Sequence, residues 1–466
     1  MEQKRWSTWR EVLVRLCAVV VTMWAGPAWS QNAVSLEAVA ARLDRVEQEN
    51  VALQRELSLL REELATLKKD RDAATADRLD ALEEKVDVDS GRLTEQALVK
   101  VETTRRVPLR LTGMVLFNAF RNGNRAGPGN DYPGIALATP GPTASGATMR
   151  QSVFGIEFDA PEAILGGQFH GSLMMDLFAG TSPVFTNQPR LRTAWVEGQW
   201  QNTSVLVGQD KLIMSPREPN SLAQVVFSPL IAAGNLYGWR PQVRVRQRVP
   251  LADTRAITID LGVTQTAEDW STTIPQEFLA SLELRRPGPE GHVQFTETFD
   301  NDRRVELGIG FHTSETHIAR TSVPSRAASV DWLVTPVRQL EMSGAIFTGK
   351  NVTQLSGRRM PGVTLVTVSP GVVNATAVRS HGGWTQATIL ASPRLSFNLQ
   401  GGFEDPDDRD LLAPAVSRNR IYVANTFYRL APNVVTGMEV AFLRTHYKAG
   451  QRSRNTHYNA YLAYLF

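Results

Sequence analysis

The sequence has almost no cysteine and no long apolar segment. Cys17 is the single cysteine, and it lies in an N-terminal segment that we expect to be removed. The mature chain would then have no disulfide, no thiolate metal ligand and no cysteine nucleophile. The apolar run from Leu16 to Ala25 is far shorter than the roughly 20 residues that a membrane-spanning helix requires. These absences exclude a disulfide-stapled scaffold and a helical transmembrane segment.

Motifs of enzymes and of nucleic-acid binding are also missing. The isoelectric point near 9.0 comes with no dense basic run that contains aromatics, so it does not indicate nucleic-acid binding. Residues 344–350 match the first part of a phosphate-binding loop, but Asn351 replaces the magnesium-binding serine or threonine. The seven histidines include no helical pair with a glutamate, and the shared strand face of His170 and Ser172 is too common to indicate catalysis. We therefore predict no enzymatic activity, no cofactor and no metal site.

The N-terminus has the features of a secretory signal peptide in their usual order. Basic residues lie at positions 4, 5, 10 and 15, and the short apolar run follows them. Ala28 and Ser30 supply small side chains just before Gln31, where cleavage is expected. We predict that residues 1–30 are a signal peptide and that the protein is exported.

Helical periodicity begins after this segment. Apolar residues recur alternately three and four apart, which is the a/d pattern of a coiled coil. Asn50 occupies an a position, where a buried amide fixes the register of the chains, and the seam resumes at Leu79 one residue out of phase. One helix cannot cover its own stripe, so we predict that residues 31–106 hold an oligomer together. The seam consists of Leu36, Val39, Leu43, Val46, Asn50, Leu53, Leu57, Leu60, Leu64 and Leu67.

The end of the chain has a different period. Every second residue from Thr456 to Phe466 falls on one face of an extended strand, and that face is mostly apolar and aromatic. Such a segment resembles the closing strand of bacterial outer-membrane barrels, although a soluble β-sandwich can end in the same way. The face consists of Thr456, Tyr458, Ala460, Leu462, Tyr464 and Phe466.

Residues 107–466 are predicted to form a transmembrane antiparallel β-barrel of about 16 strands. Short and long connections alternate, as they do between the two rims of a membrane barrel. This alternation requires residues 287–303 to be one long connection at the short-turn rim, yet residues 293–299 look like a strand, so 17 or 18 strands is the alternative. The predicted strands are 109–121, 150–159, 168–178, 190–201, 203–211, 242–249, 255–266, 277–286, 304–313, 327–334, 338–348, 383–391, 394–404, 420–429, 434–447 and 455–466.

Charged residues alternate with valines in one of these strands. Arg244, Arg246 and Arg248 share one face, and Val243 and Val245 lie on the other. Each arginine on the lipid face would cost about 2–4 kcal/mol near the bilayer midplane, so the three should point into the lumen and favour anions. The alternative is that they are paired with lumenal carboxylates such as Asp176, Glu197 or Asp260.

The connection from Leu212 to Pro241 is long and rich in apolar residues. An exposed apolar loop is a liability, so we expect it to fold into the barrel and narrow the channel; the alternative is a subunit contact. Basic residues lie in and beside this segment. The predicted pore-lining residues are Lys211, Arg217, Arg240, Arg244, Arg246 and Arg248.

The order of signal peptide, heptad coil and barrel resembles that of the DcaP-like trimeric porins of Gram-negative bacteria. Gly208-Gln-Asp210 before the inward loop and Trp239-Arg-Pro-Gln-Val-Arg244 after it carry the local likeness. The resemblance implies a 16-stranded barrel, a homotrimer, a coil on the periplasmic side and a preference for small anionic solutes. The connection at residues 349–382 departs from the family, so no particular solute is transferred.

Together these features predict an outer-membrane porin for passive diffusion of small hydrophilic solutes, with a preference for anions. Its partners would be two further copies of the chain, held through barrel and coil, and outer-membrane lipids. The alternative is a barrel that anchors the envelope through its periplasmic rod and conducts little. An outer-membrane barrel enzyme is a third and weaker alternative.

Overall fold

A computed structural model describes the barrel part of the chain and four residues of the preceding segment. By compactness the chain divides into residues 1–103 and 104–466. In the first unit Arg55, Ser58, Leu59 and Glu62 are helical and exposed, and the predicted seam residues and signal peptide lie outside the described part. The described residues are 55, 58, 59, 62, 109–127, 131–160, 166–179, 187–265, 287–300, 303–318, 321–355, 360–369 and 372–466.

The second unit is made almost entirely of antiparallel strands. Short 3₁₀ helices occur at Thr353–Leu355 and Asp408–Asp410, and no described helix is long and apolar enough to cross a bilayer. The strands are β1 (Leu109–Asn122), β2 (Ala144–Thr148), β3 (Val153–Asp159), β4 (Gln168–Ala179), β5 (Gln188–Gln199), β6 (Thr203–Lys211), β7 (Trp239–Ala252), β8 (Arg255–Thr264), β9 (Gly288–Thr298), β10 (Arg304–Ile318), β11 (Thr321–Val337), β12 (Leu340–Lys350), β13 (Val363–Ser369), β14 (Val372–Ala377), β15 (Arg379–Ser392), β16 (Leu395–Pro406), β17 (Val416–Ala431), β18 (Val434–Tyr447) and β19 (Arg452–Leu465).

The strands close into a barrel. Each wall strand pairs with its neighbour along the chain, and β19 pairs back onto β1 through contacts such as Val115 with Tyr464. Since β2 and β3 pair with successive parts of β1, they form one interrupted wall strand, whereas β13 and β14 form a separate hairpin. The wall therefore has 16 strands, which confirms the predicted count.

One predicted connection is wrong. Residues 287–303 were expected to link two strands at the short-turn rim, but β9 occupies Gly288–Thr298 and pairs with both β8 and β10. Gly288, Pro289 and Gly291 interrupt the alternation of this strand and conceal its start. The predicted strand at 277–286 lies outside the described residues. The strand-like segment 293–299 thus belongs to the wall without raising the count.

The two faces of the wall differ sharply in polarity. In β19 Tyr458, Leu462 and Tyr464 are exposed, whereas His457 and Asn459, on either side of Tyr458, are buried. Successive side chains of a strand point to opposite sides, so the apolar face looks outward and the polar face looks into the barrel. An outward apolar band and a polar interior are the arrangement of a membrane barrel, not of a soluble sandwich.

The connections divide between two rims. Tight turns join β7 to β8, β11 to β12, β15 to β16 and β17 to β18 at what we call the short-turn rim. The opposite, long-loop rim carries residues 212–238 between β6 and β7 and residues 351–378 between β12 and β15. The latter segment was expected to be a plain loop, but it contains the β13–β14 hairpin. Likewise β2 lies between the predicted strands 109–121 and 150–159, where it pairs with residues 118–122 of β1.

Candidate functional site

Residues 212–238, here called the inward loop, enter the barrel from the end of β6. The backbone amide of Met214 donates to Oε1 of Glu290 on β9 at 2.8 Å, and its carbonyl oxygen accepts from Oγ of Ser329 on β11 at 2.8 Å. Both partners face inward and are buried. The loop therefore begins by crossing to wall strands that follow it in the chain.

Asn220 fixes the middle of the loop to the far wall. Its backbone amide donates to Oε1 of Gln386 at 2.7 Å, and its backbone carbonyl oxygen accepts from the side-chain amides of Gln400 and Asn425 at 2.6 and 2.9 Å. The hydroxyl of Ser221 donates to Glu439. Four adjacent wall strands, β15 to β18, thus hold two consecutive loop residues.

The loop then reaches the wall strands at the start of the barrel. The carbonyl oxygen of Leu222 accepts from Nδ2 of Asn118 on β1 at 2.8 Å. Gln151, just before β3, bonds the carbonyl oxygen of Ala223 at 2.9 Å and the amide of Val225 at 2.8 Å. Because the contacts run around the wall, the loop lies within the lumen and narrows it, as the sequence predicted.

The last part of the loop packs on the wall near the long-loop rim. Leu230 and Ala233 join a buried apolar cluster that includes Trp384. Gly234 has φ +90°, and a Cβ there would lie 2.2 Å from the amide nitrogen of Gly383 and 2.4 Å from the carbonyl oxygen of Phe403. Only glycine fits such a backbone approach without displacement. This contact sets how closely the loop approaches β15 and β16.

Two arginines contact the inward loop from β5, on the side of the barrel opposite β15 to β18. Arg190 and Arg192 of β5 donate to the carbonyl oxygens of Val226 at 3.4 Å and Val225 at 3.0 Å. Arg192 is the extra residue of a β-bulge, since Met174 pairs with Thr193 and Met175 with Leu191. A bulge re-aims a side chain, and here it lets both arginines point into the lumen.

Aromatic rings stack against these arginines. The guanidinium carbon of Arg190 lies 5.2 Å from the ring centroids of Phe227 and Trp239, and that of Arg192 lies 4.7 Å from Trp239. Arg150 is stacked 3.9 Å above the ring of Phe178. Stacking holds the guanidinium planes in place without neutralising their charge. We call Arg150, Arg190 and Arg192 with these rings the arginine–aromatic cluster.

Buried carboxylates support the same arginines from behind. Asp176, fully buried on β4, accepts from Arg190 at 2.7 Å and lies 3.8 Å from Arg192. Asp131, also buried, pairs with Arg150. Asp176 belongs to the wall and Asp131 to the connection between β1 and β2, and both acids are buried, so they position the cluster while they are shielded from solvent.

The three arginines predicted on β7 lie on its inward side. Arg244 pairs with Asp210 at 3.3 Å, and Arg246 pairs with Asp260 at 2.7 Å. Arg248 is exposed toward the short-turn rim. Val243 and Val245 are exposed on the outward side. The alternation that the sequence predicted is therefore present, together with carboxylate partners for two of the three.

The other predicted pore residues have different surroundings. Lys211 forms an exposed pair with Glu218 at 2.6 Å. Arg217 pairs with Glu306 and Asp331, at 2.6 Å each, and ties the loop to the wall. Arg240 is only 3% exposed and donates to the backbone of Gln354, so packing encloses it instead of leaving it at the open lumen.

Two carboxylates with arginine partners stabilise the turn between β16 and β17 at the long-loop rim. Arg409 donates to both carboxylate oxygens of Asp407, which holds the pKa of that acid below its usual range. Hydrogen bonds from Arg379 lower the pKa of Asp410 in the same way. Both acids are therefore charged at neutral pH and fix the 3₁₀ turn between β16 and β17.

Comparison with known structures gives the barrel a clear likeness. It is similar to the outer membrane channel DcaP of Acinetobacter baumannii, with a TM-score of 0.59, 17% sequence identity and coverage of 78% of this chain and 98% of that chain. The chain has the fold of an outer-membrane porin. The resemblance inferred from the sequence is thereby confirmed for the fold.

Two further structures share this porin fold. An anion-selective porin from Comamonas acidovorans has a TM-score of 0.52 and 12% identity, with coverage of 77% of this chain and all of that chain, 100%. OmpF of Salmonella typhi, solved in complex with daunomycin, has a TM-score of 0.51 and 10% identity, with 77% and 97% coverage. No protein-family model matches the sequence, and no curated protein matches it significantly.

Within the porin fold, sequence reasoning missed the arginine–aromatic cluster. Arg190, Leu191 and Arg192 repeat the alternation of β7, with Leu191 exposed on the outward side. That pattern was a usable signal. Arg150 has no such pattern around it in the sequence, because its position depends on its pair with Asp131.

Proposed function

We propose that the protein is an outer-membrane channel for passive diffusion of small hydrophilic solutes and that it prefers anions. A closed barrel with an apolar outer face and a polar lumen suits such a role. The inward loop leaves the passage bordered by fixed charged groups of β5, β7 and the loop itself. Solutes would move down their gradients, so the proposal requires no catalytic group.

The unequal exposure of the lumenal ion pairs carries the anion preference. The Arg246 side chain is 43% exposed and its partner Asp260 is 9% exposed. Arg190 is 27% exposed, whereas Asp176 is fully buried. Arg304 and Lys211 are also more exposed than their acid partners. Two pairs are exceptions, Arg244 with Asp210 and Arg217 with Glu306, since both members of each pair are similarly shielded.

Because of this difference in exposure, the positive groups border the lumen and the negative groups lie deeper in the structure. The carboxylates lie behind the arginines, so a solute in the lumen meets guanidinium groups first. A low-dielectric wall focuses their field into the passage and raises the local concentration of anions. Because every such arginine has a carboxylate nearby, we expect the preference to be moderate. The description of the Comamonas protein as anion-selective supports this direction for a barrel of the same fold.

We propose a homotrimer in the outer membrane, with residues 1–30 removed, residues 31–106 forming a periplasmic coiled coil and residues 107–466 forming the barrel. The heptad seam of the sequence supports the coil and the association of several chains, and the likeness to DcaP, an outer membrane channel, supports the location in the outer membrane. The coil would hold the chains together in the periplasm.

Conductance separates this proposal from the alternative of a structural anchor. The purified protein would be inserted into a planar bilayer, with folding verified by heat-modifiable mobility in electrophoresis. A trimeric channel gives stable current steps that close in groups of three. A correctly folded barrel without current would favour a barrel that anchors the envelope through its rod and conducts little.

A further inference from the structure

Three arginines on neighbouring strands lie directly opposite one another on the outside of the barrel. Arg420 of β17 pairs in register with Arg444 of β18, and Arg444 pairs with Arg454 of β19. All three are exposed, whereas Ile421 and Leu443 beside them are buried in the interior. The three guanidinium groups therefore form a row on the outward face, here called the outer arginine row.

Such a row is unfavourable by itself. Side chains directly opposite in an antiparallel pair have Cβ atoms about 5 Å apart, and like charges there destabilise the sheet. The guanidinium of Arg444 lies 5.9 Å from the ring of Tyr422, which supplies no negative charge. The row therefore needs an anion from elsewhere.

The nearby acids do not supply that anion. Asp405 pairs with Arg418, and Asp407 and Asp410 are bound by Arg379 and Arg409. Among the described residues, no carboxylate forms an ion pair with a member of the outer arginine row. The lumenal arginines differ in this respect, because buried acids support most of them.

The position of the row identifies the kind of anion. On the same face, Tyr422 and Phe442 lie one step of two residues closer to the short-turn rim. Both are exposed, and the apolar band begins there. In the other direction, a step of two residues closer to the long-loop rim leads to a second row, in which Arg418 pairs with His446 and His446 pairs with Arg452. The charges thus lie at the boundary between hydrocarbon and the water at the long-loop rim.

We propose that the outer arginine row binds the phosphate group of a membrane lipid whose acyl chains lie on the apolar band beside it. Guanidinium forks match phosphate oxygens in a bidentate manner, and adjacent strands present the forks at a spacing that one headgroup can bridge. The bound phosphate removes the repulsion within the row. The lipid thereby stabilises the barrel at its long-loop rim, whether or not the barrel conducts.

Native mass spectrometry of the delipidated full protein tests the proposal, with dioleoyl phosphatidic acid as the probe. Dioleoylglycerol, which lacks the phosphate, and inorganic phosphate serve as the two partial ligands. The test variant combines Arg420→Ala, Arg444→Ala and Arg454→Ala. The matched control combines Arg338→Ala, Arg394→Ala and Arg429→Ala, which removes the same charge from exposed positions at the short-turn rim.

We expect the wild-type protein and the control to retain phosphatidic acid and the test variant to bind it about tenfold more weakly. Phosphatidic acid should raise the unfolding temperature of the wild-type protein in detergent and leave that of the test variant nearly unchanged. The single change Arg444→Ala, at the centre of the row, should show the same loss in part and covers the case in which the triple variant folds poorly.

Three outcomes would overturn the proposal. Equal binding of phosphatidic acid by wild type and test variant would show that the row does not bind the lipid. Binding of inorganic phosphate as tight as that of phosphatidic acid would show a site for free anions instead. Loss of the oligomer in the test variant with unchanged lipid binding would assign the row to a contact between copies of this chain.

Discussion

The guanidinium of Arg217 lies with Nε 2.6 Å from Oδ1 of Asp331, and the pair joins the inward loop to β11. Asp331 is buried, and its other carboxylate oxygen lies 2.6 Å from Nε2 of His292. Glu306 binds the same guanidinium. One loop residue thus neutralises acids of two neighbouring wall strands, so the position of the loop depends on it.

Replacement of Arg217 by alanine should loosen the loop and destabilise the barrel. Loss of one partner leaves Asp331 buried with less compensation, which typically costs about 3–5 kcal/mol. We expect a lower unfolding temperature in detergent and larger, noisier single-channel currents. Glu218→Gln is the control, because its pair with Lys211 is more exposed and should contribute less than about 1 kcal/mol. Unchanged current in Arg217→Ala would show that this pair does not hold the loop.

The close approach at Gly234 predicts a second way to displace the loop. Gly234→Ala combines a left-handed backbone with a Cβ that collides with β15 and β16. Gly450→Ala is its control, since Gly450 has φ +87° but open space where the Cβ would lie. The control should cost about 1 kcal/mol from strain, and Gly234→Ala should cost about 1–3 kcal/mol more. Equal unfolding temperatures for the two variants would contradict the contact with β15 and β16.

Much of the wall followed from the sequence because its signal is local. The alternation in β7 and β19 places each side chain on a face without knowledge of the rest of the fold. The alternation did not reveal β9, because Gly288, Pro289 and Gly291 interrupt the pattern there. It also could not reveal the bulge at Arg192, because a one-residue shift in pairing depends on β4.

The path of the inward loop is encoded at long range. Asn220 bonds with Gln386, Gln400 and Asn425, which follow it by 166, 180 and 205 residues. No spacing rule links such positions. The sequence predicted that an apolar loop would fold inward, but its partners became visible only in the assembled barrel.

Acid should release the turn between β16 and β17. The pKa values of Asp407 and Asp410 lie below their usual range in the folded chain, so their stabilising effect is complete above the ordinary carboxyl pKa of about 4. It is lost as the pH falls through their lower folded values. Hydrogen exchange, corrected for the intrinsic effect of pH, should show the Asp410 amide losing protection in acid. The Gly450 amide, bonded to Tyr447 in another turn at this rim, should change much less.

The predicted coil should decide the assembly state. Changing Leu57, Leu60, Leu64 and Leu67 to aspartate places four charges on the seam, which should separate the chains or leave them joined through the barrels alone. The molecular mass of the detergent-solubilised protein gives the number of chains in the assembly. Ser58→Asp with Leu59→Asp is the control, since both residues are helical, exposed and off the seam. A trimer that both sets of changes leave equally stable would argue against the coil as an assembly element.

Ion selectivity tests the central claim most directly. The reversal potential of the wild-type channel would be measured in a planar bilayer under a potassium chloride gradient, and again for Arg190→Ala with Arg192→Ala. Arg409→Ala is the control, because Arg409 is exposed in the short turn between β16 and β17 and does not belong to the wall strands or the inward loop. The account predicts a wild-type potential displaced toward the chloride equilibrium potential, a marked shift toward potassium in the double variant and no shift in the control. A wild-type channel that prefers potassium would contradict it.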